Sequence, residues 1–165
     1  MSAREGVLTD NGRQPRSDGL LAICAPFYLD DPCTLIDGFG ALPEAADLEV
    51  ALVDDGTADP DLTARVQAAL ARYPGPGRLL THDRNAGRAV SRNDLVALVG
   101  TTYLLFVDAD VTPGRPDFLS RYLAIAANGR VDACYGGLST KGPVPRDRAL
   151  ALDLVSRIDG RSAYV

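Results

Sequence analysis

Two aspartates, Asp108 and Asp110, directly follow an apolar run over 103–107. A short continuous apolar run rich in aromatic and branched residues is typical of a strand buried on both faces of a sheet. In open α/β sheets, ligands bind outside the carboxyl ends of the strands, where both acids would lie. Neighbouring carboxylates repel each other unless a cation compensates them, and Mg²⁺ or Mn²⁺ binds carboxylates together with phosphate oxygens. The spacing therefore indicates either a metal–diphosphate site or a solvated strand end whose acids form the turn before Pro113.

Charged residues of both signs lie in two further segments that could bind a ligand. A second predicted strand ends in Asp54 and Asp55, which makes another acidic strand end. A predicted helix over about 88–99 carries Arg88 and Arg92 as i, i+4 neighbours, and its N-terminus favours an anion. This pair fits an anionic partner or, equally, a solvated surface. The residues of this helix expected to face the core are Ala89, Val90, Val96, Ala97 and Leu98.

Hydrophobic patterns predict strands that alternate with helices along the chain. The strands cover 20–25, 48–53, 78–81, 103–107 and 131–135, and the helices cover about 32–40, 60–73, 88–99, 116–128 and 146–159. Asp31 followed by Pro32, and Asp59 followed by Pro60, match the starts of the first two helices. This alternation predicts a mostly parallel sheet with helices on both faces, which is a three-layer α/β/α sandwich.

Length and composition indicate one globular domain, because the chain has 165 residues, of which 46% are hydrophobic and 24% charged. We expect a flexible polar leader over 1–19 and a single domain over 20–165. The net charge of −5 disfavours a nucleic-acid partner. No apolar run is long enough for a transmembrane helix, and the N-terminus lacks the apolar core of a signal peptide, so we expect a cytoplasmic protein.

The cysteines and the single histidine do not form a recognisable reactive site. Cys24, Cys33 and Cys134 are scattered and include no Cys-x-x-Cys pair, which disfavours a disulfide framework or a zinc site. A Ser/His or Cys/His catalytic system would have to use His82. No residue near it looks like an activated nucleophile, so we do not expect that chemistry.

Four segments, in this order, resemble family 2 glycosyltransferases of the GT-A fold. They are Ala25-Pro26-Phe27-Tyr28, Val53-Asp54-Asp55-Gly56-Thr57, Asn85-x-Gly87 with the later Ser91-Arg92-Asn93, and Phe106-Val107-Asp108-Ala109-Asp110. The resemblance covers about 20–137 and implies the Rossmann-like fold of nucleotide-diphospho-sugar transferases. The family usually continues into an acceptor-binding half, so the chain is expected to be truncated at its C-terminus.

The resemblance implies a transferase that moves a sugar from a UDP- or GDP-sugar donor to an acceptor hydroxyl, with inversion. It implies that Asp55 accepts hydrogen bonds from the base of the donor nucleotide and that Asp54 helps to shape the pocket. Pro26 and Tyr28 would line the same base pocket.

The resemblance also implies a phosphate and metal end of the site. Arg88 and Arg92 would lie near the nucleotide or its phosphates. Asp108 would lie near the ribose and the metal, and Asp110 would bind Mn²⁺ or Mg²⁺ more directly. The family's general base has no matching residue here, so no catalytic residue is assigned.

Other functions remain open at this point. The chain could be a truncated donor-binding fragment without transferase activity, or a non-catalytic interaction domain with ordinary acidic strand ends. A nucleotidyltransferase would need a glycine-rich basic loop after the first strand, and the segment 25–31 has no glycine and two acids. The acceptor could be a glycan, a lipid or a small molecule. An uncovered sheet edge or apolar face would favour a homo-oligomer or a partner chain.

Overall fold

The computed structural model describes residues 6–136. The chain divides into two compact units, one of residues 1–127 and one of residues 128–165. The described elements are β1 (Gly6–Asp10), β2 (Leu21–Phe27), α1 (Cys33–Gly40), a 3-10 helix (Pro43–Asp47), β3 (Glu49–Asp54), α2 (Pro60–Arg72), β4 (Gly77–His82), α3 (Arg88–Leu98), β5 (Tyr103–Phe106) and α4 (Phe118–Asn128).

Five strands form one sheet in the order β1-β4-β3-β2-β5. The neighbours from β4 to β5 are parallel, and only β1 runs antiparallel, against β4. In the centre of the sheet, Ile23 of β2 lies between Val50 of β3 and Leu105 of β5. The carboxyl ends of four strands therefore lie along one edge, and the predicted mostly parallel sheet is confirmed.

Helices cover both faces of the sheet, as the alternating pattern predicts. Successive strand residues point to opposite faces, so each strand contributes to two cores. One core contains residues of α1, α2 and α4, with Phe39 and Val66 among its fully buried side chains. The other core lies under α3 and contains Cys24, Ala51 and Leu95. The three-layer arrangement is confirmed.

The predicted start of α2 is confirmed with its acidic cap, whereas α1 begins one residue later than predicted, at Cys33, with Pro32 in the cap position. Asp59 accepts hydrogen bonds from the backbone amides of Asp61 and Leu62 at 2.9 and 3.0 Å, and Pro60 is the first residue of α2. Asp31 accepts one from the amide of Cys33 at 2.9 Å at the start of α1. Such side-chain acceptors satisfy amides that have no partner inside the helix.

The predicted flexible leader is wrong for residues 6–10, which form β1 at the edge of the sheet. The side chain of Asn11 holds the end of this strand, because its amide donates to the carbonyls of Leu70 and Gly75 and its oxygen accepts from the Gly77 amide. An edge strand with exposed side chains, such as Val7 at 66%, buries little apolar surface. It therefore gives no hydrophobic signal in the sequence.

Two further predictions about elements are wrong. Residues 131–135 are not a strand, since only Tyr135 makes an isolated bridge. The strand β5 is not buried on both faces within the described residues, because only its Leu105 is buried and Phe106 is 39% exposed; β5 is also the edge strand of the described sheet. The predicted helix over 146–159 lies outside the described residues.

The inward face of α3 also differs from the prediction. Ser91 and Leu95 are its buried residues, whereas Val96 is 51% exposed, and Ala89 and Ala97 are exposed as well. A polar residue, Ser91, replaces an apolar one at the centre of this face because the helix begins against a polar site. None of the helices within residues 6–136 combines the length and the apolar character needed to cross a membrane.

Candidate functional site

The predicted site residues lie along the edge formed by the carboxyl ends of β2, β3 and β5. Asp54 is the last residue of β3, and its register partner in β2 is Phe27. The Asp55 amide donates to the Phe27 carbonyl at 2.8 Å, and the Val107 amide donates to the Cys24 carbonyl at 3.0 Å. The strand pairing thus continues to the point where the acidic segments begin.

Asp54 organises the turn after β3 rather than facing solvent, since it is 2% exposed. Its Oδ1 accepts a hydrogen bond from the Thr57 amide at 2.9 Å. The Thr57 hydroxyl in turn accepts one from the Leu29 amide at 2.9 Å, which ties this turn to the loop after β2. Leu29 has a φ of 63°, a left-handed conformation that costs a non-glycine residue roughly 1–2 kcal/mol.

The loop after β2 presents two large side chains to solvent. Tyr28 is 44% exposed and Leu29 is 67% exposed. Pro26, one strand position before Phe27, is half-buried. The hydroxyl of Thr57 therefore holds a strained loop that displays an aromatic ring beside Asp54, which suits a flat ligand.

Gly56 lets the turn after β3 touch the loop before α3. Its φ is 81°, and a Cβ atom there would lie 2.3 Å from the carbonyl carbon of Arg84 and 2.4 Å from the amide nitrogen of Asn85. A non-glycine residue would therefore force the two loops apart. Glycine is therefore required at position 56 by this close approach of two backbones.

Asp55 is the most highly coordinated side chain of the site, and it is 4% exposed. Its Oδ1 accepts from the Ala86 amide at 2.8 Å and from His82 Nδ1 at 3.0 Å, and its Oδ2 accepts from the Gly87 amide at 2.8 Å. Burial alone would raise the pKa of Asp55, but these hydrogen bonds and the Ser91 hydroxyl outweigh it and hold the pKa below its ordinary value. Asp55 is therefore a carboxylate at neutral pH.

The Asp55 carboxylate lies at the start of α3, where the helix dipole favours negative charge. The chain itself thus supplies an anion at the position where the sequence predicts one. Gly87, with a φ of 93° and open space around its α-carbon, makes the turn that brings its amide to Asp55. Arg88, the first residue of α3, is exposed.

Arg92 lies one turn further along α3 and reaches the end of β5. Its Nη2 is 3.9 Å from Asp108 Oδ1, and its guanidinium lies 5.7 Å from the centre of the Phe106 ring. Its Nε is buried and has no hydrogen-bond partner within residues 6–136, although the side chain as a whole is 42% exposed. Arg92 and Asp108 therefore form a loose ion pair, a contact that the sequence did not predict.

Asp108 and Asp110 both lie exposed in the loop after β5, while Ala109 between them is 5% exposed and packs into the core. Burial of the middle residue leaves both carboxylates on the solvent side. Across the described part of the chain, no group of three or more His, Cys, Asp or Glu side chains could hold a metal. Two carboxylates still fit Mg²⁺ or Mn²⁺, because such ions complete their shell with water and phosphate oxygens.

His82 is the site residue that the sequence reasoning set aside. It is the last residue of β4 and is 6% exposed. The prediction considered it only as a partner for a nucleophile, whereas it contacts Asp55. The sequence feature that could have identified His82 as a site residue is its position at the end of a predicted strand, on the same edge of the sheet as Asp54.

The comparisons with known proteins agree with this arrangement. The family model described as glycosyl transferase family 2 matches residues 34–161. A search of curated proteins gives no match.

Solved structures with the same fold include a fragment of TarS and a mannosyltransferase. Residues 1–349 of S. aureus TarS give a TM-score of 0.59 at 20% identity, covering 77% of this chain and 38% of that one. The same fragment in complex with UDP gives a TM-score of 0.56 at 19% identity, with the same coverage. The mannosyltransferase PcManGT from Pyrobaculum calidifontis, in complex with GDP-Man and Mn²⁺, gives a TM-score of 0.56 at 18% identity, covering 89% of this chain and 43% of that one.

This chain spans about two fifths of the length of these structures. Their similarity confirms the predicted GT-A fold. The family model covers well over half of the 165 residues, and its match includes three of the four segments that carry the sequence resemblance. The chain belongs to glycosyl transferase family 2.

Proposed function

We propose that this chain forms the donor-binding part of a metal-dependent glycosyltransferase that transfers a sugar from a UDP- or GDP-sugar to an acceptor hydroxyl. The observation that carries the proposal is Arg92. Its side chain is 42% exposed, and its one ion pair within the described residues, from Nη2 to Asp108 Oδ1, is a loose contact of 3.9 Å. A guanidinium has five N–H donors in a fork that matches phosphate. A diphosphate would therefore accept hydrogen bonds from the exposed Arg92 donors that have no partner in residues 6–136.

The base of the donor would lie at the β2–β3 side of the site. There, Tyr28 offers an exposed ring for stacking, and Pro26 and Asp54 shape the pocket. Asp55 would be the acceptor for the N–H groups of the base, because its carboxylate is ionised and fixed in place; the base would approach the small part of Asp55, 4%, that the chain's own donors leave exposed. Support for this assignment comes from the UDP and GDP-Man complexes of structures that share the fold.

The diphosphate would lie at the β5 side, between Arg92 and the two exposed aspartates. Arg88 is on the same helix and would add long-range attraction for the phosphates. As the sugar leaves, negative charge develops on the nucleoside diphosphate, and Arg92 would stabilise that charge through hydrogen bonds made in a fixed position.

Asp108 and Asp110 would hold Mn²⁺ or Mg²⁺, and Asp110 would be the more direct ligand. A divalent ion bound there would neutralise charge on the diphosphate leaving group. The Mn²⁺ in the PcManGT complex supports a divalent ion in this fold. The inverting stereochemistry, the class of acceptor, the cytoplasmic location and any homo-oligomer or partner chain remain predictions from the sequence.

Calorimetric titration of UDP and GDP, with and without Mn²⁺, tests this function. We expect one of the two nucleotides to bind the 165-residue chain only when Mn²⁺ is present. The Asp110→Asn variant should weaken that binding at least about tenfold, which corresponds to about 1.4 kcal/mol. Asp47→Asn is a matched control, because Asp47 is an exposed carboxylate just before the start of β3, at the opposite edge of the sheet.

The outcomes separate the proposed function from its alternatives. Equal binding by the wild type and Asp110→Asn would exclude the proposed metal site. Absence of binding under all conditions would favour the non-catalytic interaction domain. Release of sugar from a bound UDP- or GDP-sugar donor onto an added acceptor would separate a complete transferase from a donor-binding fragment.

A further inference from the structure

His82 is a buried polar residue that the proposed reaction does not use directly. It is the only histidine of the chain, and its side chain is 3% exposed. Its two ring nitrogens face carboxylates on two different elements. Nδ1 lies 3.0 Å from Asp55 Oδ1, and Nε2 lies 3.0 Å from Asp94 Oδ2.

The contact with Asp55 has a defined direction. Asp55 is a carboxylate at neutral pH and can only accept hydrogen bonds. His82 Nδ1 therefore carries a proton and donates a hydrogen bond to Asp55 Oδ1. The Ala86 amide donates to the same oxygen, and the Gly87 amide donates to Oδ2. The carboxylate is therefore held from β4 through His82 and from the loop before α3 through the two amides.

The contact with Asp94 is of a different kind. Nε2 and Oδ2 are within ion-pair distance, but their geometry is not that of a hydrogen bond. Asp94 lies on α3, and its side chain is 30% exposed. The Asp94 carboxylate therefore occupies the space beside Nε2 on the helix side of the imidazole, which limits how far the ring can turn away from Asp55.

We infer that His82 is a positioning residue that fixes the Asp55 carboxylate for the base of the donor nucleotide, and that Asp94 holds His82 in turn. The inference rests on the proposed function, because it takes Asp55 as the acceptor for the base. A histidine that merely fills the space between β4 and α3 would stabilise the fold without affecting nucleotide affinity. The two roles predict different behaviour for variants that keep different nitrogens.

Two substitutions by amide side chains distinguish the roles of the two ring nitrogens of His82. An asparagine amide nitrogen reaches the position of Nδ1, and a glutamine amide nitrogen reaches that of Nε2. His82→Asn therefore keeps the donor to Asp55 and loses the contact with Asp94, whereas His82→Gln does the reverse. Asp94→Ala removes the second contact at a partly exposed position and so does not depend on repacking the core.

The experiment is titration of UDP and GDP with Mn²⁺ into the 165-residue wild type and the three variants, with thermal unfolding of each. We expect His82→Gln to raise the Kd about tenfold, the effect of losing one hydrogen bond to a charged group. His82→Asn and Asp94→Ala should each raise it only about threefold, because both keep the donor to Asp55. Asp47→Asn is the control and should leave the Kd unchanged.

Each result supports or overturns the inference. The inference is supported if the wild type binds the nucleotide most tightly, His82→Asn and Asp94→Ala bind it less tightly, and His82→Gln binds it least. This holds whatever the order of thermal stability. Equal affinity in His82→Asn and His82→Gln, with binding by the wild type, overturns it while leaving the donor site in place. If His82→Gln does not fold, an unchanged Kd in Asp94→Ala overturns it and a threefold rise supports it. If the wild type binds neither nucleotide, the proposed function fails and this inference fails with it.

Discussion

The two sides of the site differ in how completely the chain satisfies its own charges. On the β3 side, Asp54 and Asp55 are 2% and 4% exposed, and both accept hydrogen bonds from backbone amides. On the β5 side, Asp108 and Asp110 are exposed, and Arg92 makes one loose contact. The β3 side is therefore preorganised by the chain's own hydrogen bonds, whereas the β5 side has charges that a ligand would compensate.

This difference fits the two ends of a nucleotide donor. A flat, neutral base needs a rigid pocket whose acceptors are already in place, since ordering them on binding would cost affinity. A diphosphate with a metal brings strong charges of its own, so exposed carboxylates and a guanidinium held by only a loose ion pair suffice. We therefore expect changes on the β3 side to affect both stability and the binding of the base, and changes on the β5 side to affect the binding of the phosphates with little effect on stability.

Gly56→Ala should have the largest effect, because it breaks the β3 side at its backbone. The new Cβ would lie 2.3 Å from the Arg84 carbonyl carbon in a residue with a φ of 81°. We expect a loss of at least about 3 kcal/mol in the free energy of unfolding, measured by urea denaturation. Gly12→Ala is the control, since Gly12 has a φ of 77° but open space around it, and it should cost only about 1 kcal/mol.

Asp55→Asn should destabilise the chain by about 2 kcal/mol at neutral pH, because an amide cannot accept from two backbone amides and His82 as a carboxylate does. The pKa of Asp55 is lowered by folding, so its stabilisation is present above its ordinary value and is lost as the pH falls through the lower folded value. Urea denaturation at several pH values should show the wild-type and variant stabilities converging in acid. A constant difference at all pH values would contradict this account of Asp55.

Arg92→Leu should weaken phosphate binding at the β5 side without unfolding the chain, because the Arg92 side chain is 42% exposed and its ion pair with Asp108 is loose. We expect about a tenfold rise in the Kd for UDP or GDP with Mn²⁺, measured by calorimetry. The Kd for the corresponding nucleoside, which has no phosphate, should not change. An equal loss of affinity for nucleoside and nucleotide would place Arg92 at the base instead of the phosphates.

Thr57→Val should have the smallest effect. It removes the hydroxyl that accepts from the Leu29 amide and leaves a strained loop without its support. We expect a loss of about 1 kcal/mol in stability and a rise of about threefold in the Kd for the nucleotide. Thr57→Ser keeps the hydroxyl and should behave as wild type in both measurements, so equal defects in the two variants would exclude this role.

The centre of the sheet was predictable because β2 and β3 are continuous apolar runs, although β2 continues through Pro26, where the sequence predicted its end, to Phe27. The capped start of α2 was predictable because an Asp-Pro pair favours a helix start through local contacts alone, and the same pattern placed the start of α1 to within one residue. β1 was missed because an exposed edge strand gains its stability from backbone pairing with β4, which leaves no pattern in its own residues. The inward face of α3 was missed because Ser91 and Leu95 face a polar site and a small core, not a uniform apolar layer.

The site was predictable as a set of segments but not as contacts. Sequence order placed Asp54, Asp55, Arg92 and Asp108 at strand ends and a helix start. It did not show that Asp55 is buried and coordinated by Ala86, because that depends on how a loop thirty-one positions later folds back. His82 had no apparent partner in sequence, and only the juxtaposition of β3, β4 and α3 gives it one.

Paramagnetic broadening by Mn²⁺ tests the central claim most directly, which is that a metal and a nucleotide bind together at the end of β5. Backbone amide signals of the chain are recorded with Mn²⁺ alone and with Mn²⁺ plus UDP or GDP. We predict that the signals of 105–111 broaden strongly when one nucleotide is present, while those around Asp47 keep their width. Broadening that centres elsewhere in the chain, or that is unchanged by either nucleotide, would contradict the account.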